Sequence, residues 1–104
     1  MVKETIAESV SDSITEPLTE PTVLVIFGAS GDLTRRKIIP ALYNLSLDHW
    51  LPAQCRIIGF ARTAVSRDEY LAQLRSGIDQ FSRRGGTDDV HWRKFSTMLE
   101  YVAA

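Results

Sequence analysis

The longest apolar run of the chain covers residues 22–27, begins after Pro21 and ends at Gly28. It is rich in β-branched side chains and does not alternate with polar positions, which predicts a strand buried on both faces, as in a parallel sheet. The apolar positions that follow recur at helical spacing and predict a helix over residues 32–47. Pro40 lies inside that helix, so it either kinks the helix or opens a second helical piece.

A second strand and two further helices are predicted beyond this unit. Residues 56–61 form another short apolar run, so the order strand, helix, strand indicates a βαβ unit. Ser66, with Glu69 three positions later, matches a capping box at the start of the next helix. A short apolar pattern over residues 90–99 predicts a third helix, and residues 101–104 resemble the beginning of a third strand.

Residues 1–20 differ from the rest in composition and charge. They hold five carboxylates against one lysine, whereas residues 21–104 hold eleven basic and eight acidic side chains. Apolar residues recur every fourth position in this segment, as in a weak amphipathic helix, but it contains no aromatic side chain. We therefore predict a disordered acidic extension over residues 1–20 and one folded unit over residues 21–104.

Composition restricts the class of protein. The 104 residues suit a single domain, and no apolar run is long enough for a transmembrane helix. The N-terminus lacks the pattern of a secretory signal, and Cys55 is the only cysteine, which favours a reducing compartment such as the cytoplasm. The mild excess of basic side chains in residues 21–104 suits an anionic ligand but is too small to indicate nucleic-acid binding.

The junction between the first strand and the first helix carries a candidate phosphate site. Gly28, Gly31 and Thr34 follow one another at intervals of three, close to the dinucleotide fingerprint G-x-G-x-x-G. In this interpretation Gly28 makes the tight turn, Gly31 admits a pyrophosphate, and Thr34 packs the helix against the strand. The P-loop pattern does not fit, because Leu33 stands where it requires a glycine. A plain glycine turn without a ligand remains the alternative.

The end of the second strand bears on the choice of coenzyme. NAD sites usually place a carboxylate there for the ribose 2′-hydroxyl, whereas NADP sites place an arginine nearby for the 2′-phosphate. Here Arg62 follows the strand and no carboxylate does. The sequence thus favours NADP, with a solvated loop arginine as the alternative.

These residues resemble one family in particular. The run Gly-Ala-Ser-Gly-Asp-Leu-Thr, a basic cluster ending in Lys37, then Pro40 and Ala-Leu-Tyr-Asn-Leu, is similar to the coenzyme motif of the glucose-6-phosphate dehydrogenase family. Residues 57–62 and 101–103 resemble the second and third strands of that family. The resemblance covers about residues 21–104 and implies the N-terminal βαβαβ part of a Rossmann-like, doubly wound parallel α/β sheet.

The resemblance also implies an activity and a set of site residues. The family oxidises glucose 6-phosphate with NADP⁺ and opens the pentose phosphate pathway, and its full-length enzyme is expected to be a homo-oligomer. Lys37 would reach toward the sugar phosphate and Arg62 would hold the 2′-phosphate. The remaining implied coenzyme contacts are Gly28, Ala29, Ser30, Gly31, Asp32, Leu33, Thr34 and Arg35. Because a carboxylate beside a pyrophosphate would repel it, the Asp32 side chain is expected to turn away.

The family's catalytic histidine motif does not occur in these residues. Neither His49 nor His91 lies in a matching run, so no catalytic residue is predicted and the chain alone is expected to be an inactive, marginally stable fragment. A stand-alone NADP-binding or regulatory module is the alternative. A short-chain reductase is disfavoured, because no tyrosine is followed four positions later by a lysine.

Overall fold

The computed structural model describes residues 3–6 and 19–103 and shows a parallel four-stranded sheet with helices between its last three strands. The strands lie in chain order: β1 (Lys3–Ile6), β2 (Thr22–Phe27), β3 (Cys55–Ala61) and β4 (Leu99–Ala103). The α/β prediction is confirmed, and β2, β3 and β4 form the strand order of one half of a doubly wound sheet. Among the described residues, no helix is long and apolar enough to cross a membrane.

Strand β1 departs from the disorder expected for residues 1–20. Lys3 to Ile6 pair in parallel with Thr22 to Val25 along the outer edge of β2. Strand pairing uses backbone N–H and C=O groups, which every non-proline residue carries, so an edge strand needs no apolar sequence signal. For these four residues the prediction is wrong, whereas residues 7–18 lie outside the described part and the prediction for them is untested.

The first helical segment is divided, as the position of Pro40 led us to expect. A π-helical stretch, Thr34–Ile38, runs directly into helix α1, Ile39–Leu47, whose first turn contains Pro40. Proline has no N–H for the carbonyl four residues earlier, and here the preceding N–H of Ile39 donates to the Thr34 carbonyl five residues earlier. Pro40 thus opens the second helical piece.

The two later helices begin at side-chain caps. Helix α2 is Arg67–Phe81, and the Ser66 hydroxyl accepts a hydrogen bond from the Glu69 N–H at 3.1 Å, which confirms the predicted N-cap. Helix α3 is Asp89–Ser96, and the Asp88 carboxylate caps it by accepting from the His91 N–H at 2.9 Å. The apolar pattern over residues 90–99 therefore ends earlier as a helix than predicted, because Leu99 already belongs to β4.

The core lies between the three helices and one face of the sheet. Its fully buried large side chains are Leu24, Ile26, Ile39, Leu42, Tyr43, Ile57, Ile78, Phe95 and Leu99. The opposite face remains partly exposed: Val23 and Val25 are half-buried, and Phe27, stacked on Phe60, is 56% exposed. The prediction that both faces of β2 are buried is therefore wrong for the described residues, because the helices cover one face only.

Candidate functional site

The glycine turn after β2 is fixed to the neighbouring strand. Gly28 has a φ of 73°, in the left-handed region that glycine enters without steric cost. The N–H groups of Gly28 and Ala29 both donate to the Phe60 carbonyl of β3, at 2.9 and 3.0 Å. The turn predicted for Gly28 is therefore present, and it is held against the carboxyl end of β3.

The turn closes on itself through Gly31 and Thr34. The Gly31 N–H and the Thr34 hydroxyl both donate to the Gly28 carbonyl, at 2.9 and 3.1 Å. A Cβ on Gly31 would stand 3.0 Å from that carbonyl oxygen, which leaves little room for any larger residue. Thr34 is 2% exposed, so it occupies the helix-packing position that the sequence assigns to it. Residues 28–34 therefore form a compact, internally hydrogen-bonded loop.

Several backbone N–H groups of this loop have no hydrogen-bond acceptor among the described residues. Within residues 19–103, the backbone N–H groups of Ser30, Asp32 and Leu33 donate to no protein acceptor. They belong to the loop and to the first helical turn, where unpaired N–H groups and the helix dipole favour an anion. Gly28, Ala29 and Gly31, by contrast, use their N–H groups inside the chain and shape the loop. The predicted set therefore separates into donors available to a ligand and residues that hold the loop.

The carboxyl end of β3 lies beside this loop. The hydroxyls of Ser30 and Thr63 are 3.2 Å apart, so they link the loop directly to the segment that carries Arg62. The Arg62 side chain is exposed, and within the described part of the chain no carboxylate pairs with it. The structure thus brings the Arg62 guanidinium and the unpaired donors to the same edge of the sheet.

Asp32 and the two arginines that follow are turned along the helix. The Asp32 carboxylate lies 3.0 Å from Nε of Arg36 and 3.8 Å from the Arg35 guanidinium. This geometry agrees with the expectation that the Asp32 side chain faces away from a bound phosphate. The Arg35 guanidinium lies 5.5 Å from the ring centre of Phe81, the last residue of α2, whereas the loop contacts the first turn of α2. The Arg35 guanidinium therefore lies between the Asp32 carboxylate and the Phe81 ring, and its contact with the coenzyme stays a prediction.

Lys37 is exposed on the π-helical stretch. It lines a surface cleft with the basic side chains Arg36 and Arg83 and with Asn44. The position allows contact with an anion but does not place Lys37 at the donors of the glycine loop. Its predicted contact with a sugar phosphate stays a prediction.

Two tyrosines support the site, and sequence reasoning missed both. The Tyr70 hydroxyl donates to the Ala29 carbonyl at 3.0 Å, and the Tyr101 hydroxyl donates to the Thr63 carbonyl. Their rings stack with centres 4.2 Å apart. The sequence predicts Tyr101 only as part of a strand and assigns Tyr70 no role in the site, because a sequence does not show which carbonyl a tyrosine reaches.

The amino ends of the strands, on the opposite edge of the sheet, form a cleft of about 810 Å³. Its lining includes His49, His91 and the buried Cys55. His91 Nδ1 lies 2.6 Å from the Asp88 carboxylate, and burial raises the pKa of Cys55 to about 11. The two histidines are exposed surface residues, as predicted, and the thiol is protonated at neutral pH, so it is a poor nucleophile.

The family model described as "Glucose-6-phosphate dehydrogenase, NAD binding domain" matches residues 25–104. The glucose-6-phosphate 1-dehydrogenase of Gluconobacter oxydans is 48% identical over 78 residues, which are 75% of this chain and 16% of that protein. The corresponding protein of Chlamydia muridarum is 39% identical over 82 residues, 79% of this chain and 16% of its own length. The chain therefore spans about 16% of these relatives.

Solved structures give the same result. A glucose-6-phosphate dehydrogenase in complex with its substrate glucose-6-phosphate superposes with a TM-score of 0.72 at 33% identity, over 86% of this chain and 18% of that one. Glucose-6-phosphate 1-dehydrogenase from Mycobacterium avium superposes with a TM-score of 0.68 at 28% identity, with the same coverage.

Proposed function

The chain belongs to the glucose-6-phosphate dehydrogenase family, and we propose that it forms the coenzyme-binding part of an NADP-dependent oxidoreductase. The observation that carries the proposal is the meeting of two features at one edge of the sheet. The unpaired N–H groups of Ser30, Asp32 and Leu33 lie on a loop that is linked to the Arg62 segment through the Ser30–Thr63 contact. Such a pair of features suits a dinucleotide that carries both a pyrophosphate and a 2′-phosphate.

The residues present fit this coenzyme in charge and in donor chemistry. The loop N–H groups would donate to the pyrophosphate, and the Arg62 guanidinium would hold the 2′-phosphate in a bidentate manner. Bound there, NADP⁺ would supply the acceptor for a hydride. The Asp32 carboxylate, held by Arg36, would not oppose the phosphate charge from within the loop.

Arg62 is the residue on which the preference for NADP depends. Residues 61–65, which follow the β3 core, contain no carboxylate that could accept from a ribose 2′-hydroxyl. NAD⁺ would therefore lose the contact to Arg62 and gain none in exchange. We expect NAD⁺ to bind through the loop alone, and more weakly.

The wider activity belongs to this proposal as well. The reaction would oxidise glucose 6-phosphate at C1 to the lactone, in the pentose phosphate pathway of the cytoplasm, with Lys37 contacting the sugar phosphate. A general base must take the C1 hydroxyl proton, and His49 and His91 lie at the opposite edge of the sheet from the glycine loop. We therefore expect this chain to bind coenzyme without turnover, and we expect the longer enzyme to be a homo-oligomer that binds neither nucleic acid nor membrane.

Titration of NADP⁺ and NAD⁺ by calorimetry tests the proposal. Arg62→Ala should weaken NADP⁺ by about tenfold or more, the loss of a charge-assisted hydrogen-bonded pair, and should leave NAD⁺ unchanged. Arg93→Ala is the matched control: it removes the same charge from an exposed site on α3 and should change neither affinity. Equal NADP⁺ affinity in the wild type and Arg62→Ala would refute the role of Arg62.

The same samples test whether this chain can turn over substrate by itself. Adding glucose 6-phosphate with NADP⁺ should produce no NADPH absorbance at 340 nm if the chain supplies only the coenzyme end. Measurable turnover would mean that the residues here contain a base that we have not identified.

A further inference from the structure

Tyr70 and Tyr101 hydrogen-bond to the two backbone segments that would contact the coenzyme, the glycine loop and the segment that carries Arg62. Tyr70, in the first turn of α2, donates to the Ala29 carbonyl of the glycine loop at 3.0 Å. Tyr101, in β4, donates to the Thr63 carbonyl beside Arg62. The two rings stack with centres 4.2 Å apart and an interplanar angle of 30°. One aromatic pair therefore reaches both segments that would contact the coenzyme.

The hydrogen bond between Tyr70 and the Ala29 carbonyl is buried, and Gly59 leaves room for it. Tyr70 is 3% exposed and Ala29 is 1% exposed, so water does not compete for their hydrogen bond. A Cβ on Gly59 would stand 2.6 Å from the Ala29 Cβ and 3.0 Å from the Tyr70 hydroxyl oxygen. The missing side chain of Gly59 is thus what allows the loop and the tyrosine to meet over β3.

The phenol of Tyr70 keeps its proton over the whole ordinary pH range. Burial raises the pKa of Tyr70 well above its usual value, and the neighbouring Tyr101 adds to the rise. A permanently protonated hydroxyl is a permanent donor to the Ala29 carbonyl. That carbonyl shares its peptide group with the Ser30 N–H, one of the unpaired donors of the loop.

We propose that Tyr70 and Tyr101 are positioning residues, Tyr70 for the glycine loop and Tyr101 for the Arg62 segment. The inference rests on the proposed function and deepens it, because it assigns a separate positioning residue to each of the two segments that would contact the coenzyme. Neither tyrosine needs to touch the coenzyme. Each fixes a backbone segment in the conformation that the ligand requires, so that less ordering remains to be done on binding.

The two supports have different consequences for the two coenzymes. The glycine loop would hold the pyrophosphate, which NADP⁺ and NAD⁺ share, whereas Arg62 would contact only the 2′-phosphate of NADP⁺. Tyr70→Phe should therefore weaken both coenzymes equally, by roughly fivefold, the loss of one hydrogen bond. Tyr101→Phe should weaken NADP⁺ by a similar factor and leave NAD⁺ unchanged, which lowers the ratio of the two affinities.

Tyr43→Phe is the control that the chain itself offers. Tyr43 is also buried, but its hydroxyl has no hydrogen-bond partner within the described residues. All three variants keep the aromatic ring and remove one hydroxyl. Tyr43→Phe should change neither coenzyme affinity, and it should not lower the free energy of unfolding.

Amide hydrogen exchange, followed by NMR on the coenzyme-free protein, supplies a readout that does not depend on coenzyme binding. Tyr70→Phe should speed exchange at Gly28, Ala29 and Gly31, whose N–H groups are hydrogen-bonded, with the amides of Leu24 and Ile57 in the sheet unchanged. Residues 62–64 are exposed and their N–H groups donate to no described acceptor, so for them Tyr101→Phe should instead lower the ¹⁵N order parameters. Exchange that rises throughout the sheet would mean a general structural role and would overturn the proposal. Unchanged exchange at the glycine loop together with unchanged order parameters at residues 62–64 would overturn it as well.

The affinity measurements and the NMR measurements on the coenzyme-free protein test different claims. If the wild type binds neither coenzyme, the proposed function is wrong, and the NMR data still decide whether the tyrosines fix the two segments. If the wild type binds NADP⁺ but Tyr70→Phe and Tyr101→Phe have the same effect on the ratio of NADP⁺ to NAD⁺ affinity, the assignment of one tyrosine to each segment is wrong.

Discussion

The two edges of the sheet, where the strands end and where they begin, differ in how their polar groups are used. At the carboxyl edge the glycine loop is closed by hydrogen bonds to the carbonyls of Gly28 and Phe60, and N–H groups such as those of Ser30, Asp32 and Leu33 find no acceptor in the described part of the chain. At the amino edge a cleft of about 810 Å³ is lined largely by apolar groups, and its buried thiol, Cys55, stays protonated.

The difference shows that volume alone does not mark a ligand site in this molecule. In an open parallel sheet the loops after the strands meet the N-termini of the following helices, so donors and helix dipoles converge there. The first turn of α3 also lines the amino-edge cleft, but there the Asp88 carboxylate already accepts from the His91 N–H. The smaller, hydrogen-bonded edge is therefore the better candidate for binding a phosphorylated ligand.

The largest expected effect comes from filling the space over β3 at the carboxyl edge. Gly59→Ala would place a Cβ 2.6 Å from the Ala29 Cβ, and the loop must shift to admit it. We expect a loss of about 1–3 kcal/mol in the free energy of unfolding, measured by urea denaturation, together with weaker NADP⁺ binding. Ala53→Val, an exposed change in the amino-edge cleft, should alter stability by less than about 0.5 kcal/mol. Equal effects of the two substitutions would remove the distinction between the edges.

A substitution at the amino edge should instead stabilise the protein. His49 has a φ of 60°, a left-handed conformation that is strained for a residue with a Cβ. His49→Gly should raise the free energy of unfolding by about 0.5–1 kcal/mol, because the relief of strain exceeds the added entropy of the unfolded chain. Gln54→Gly, at a neighbouring position with ordinary backbone geometry, should give no gain. A stabilised Gln54→Gly or a destabilised His49→Gly would contradict this account of the turn.

The effect that is smallest near neutral pH concerns the thiol of the amino edge. Burial raises the pKa of Cys55 from 9.0 to about 11, so the unfolded chain loses its proton first as the pH rises. The stabilising contribution is present below pH 9 and is lost between pH 9 and 11, with a loss of about 0.4 kcal/mol already at pH 9. Cys55→Ala should lack this part of the pH dependence in urea titrations. Rapid alkylation of native Cys55 at pH 8 would show that the thiol is more acidic than this.

Much of the fold follows from local sequence signals. The apolar runs of β2 and β3, the cap at Ser66 and the position of Pro40 each act through neighbouring residues, and the structure has them where the sequence predicts them. The exposed face of β2 was not predicted, because an apolar strand sequence does not show whether helices cover one face of the sheet or both. Strand β1 was missed because edge pairing depends on the backbone alone.

The sequence predicted the chemical groups of the candidate site but not the tyrosines that hydrogen-bond to its backbone. The glycine spacing identified the turn, and the arginine after β3 identified the neighbouring cation, because both follow from the order of elements in a βαβ unit. The contacts from Tyr70 and Tyr101 join residues 41 and 38 positions apart. Arg35 likewise packs closely against α2 at Gly77, where a Cβ would stand 2.6 Å from the Arg35 Cγ. Such long-range contacts have no local sequence signature.

The most direct test of the central claim, that the carboxyl edge of the sheet holds the coenzyme, is an NMR titration of the ¹⁵N-labelled chain with NADP⁺. The account predicts saturable amide shifts at residues 28–34 and 62–63, with no shift at His49, Cys55 or His91. Shifts concentrated at the amino-edge cleft, or the absence of any saturable shift at the glycine loop, would contradict it.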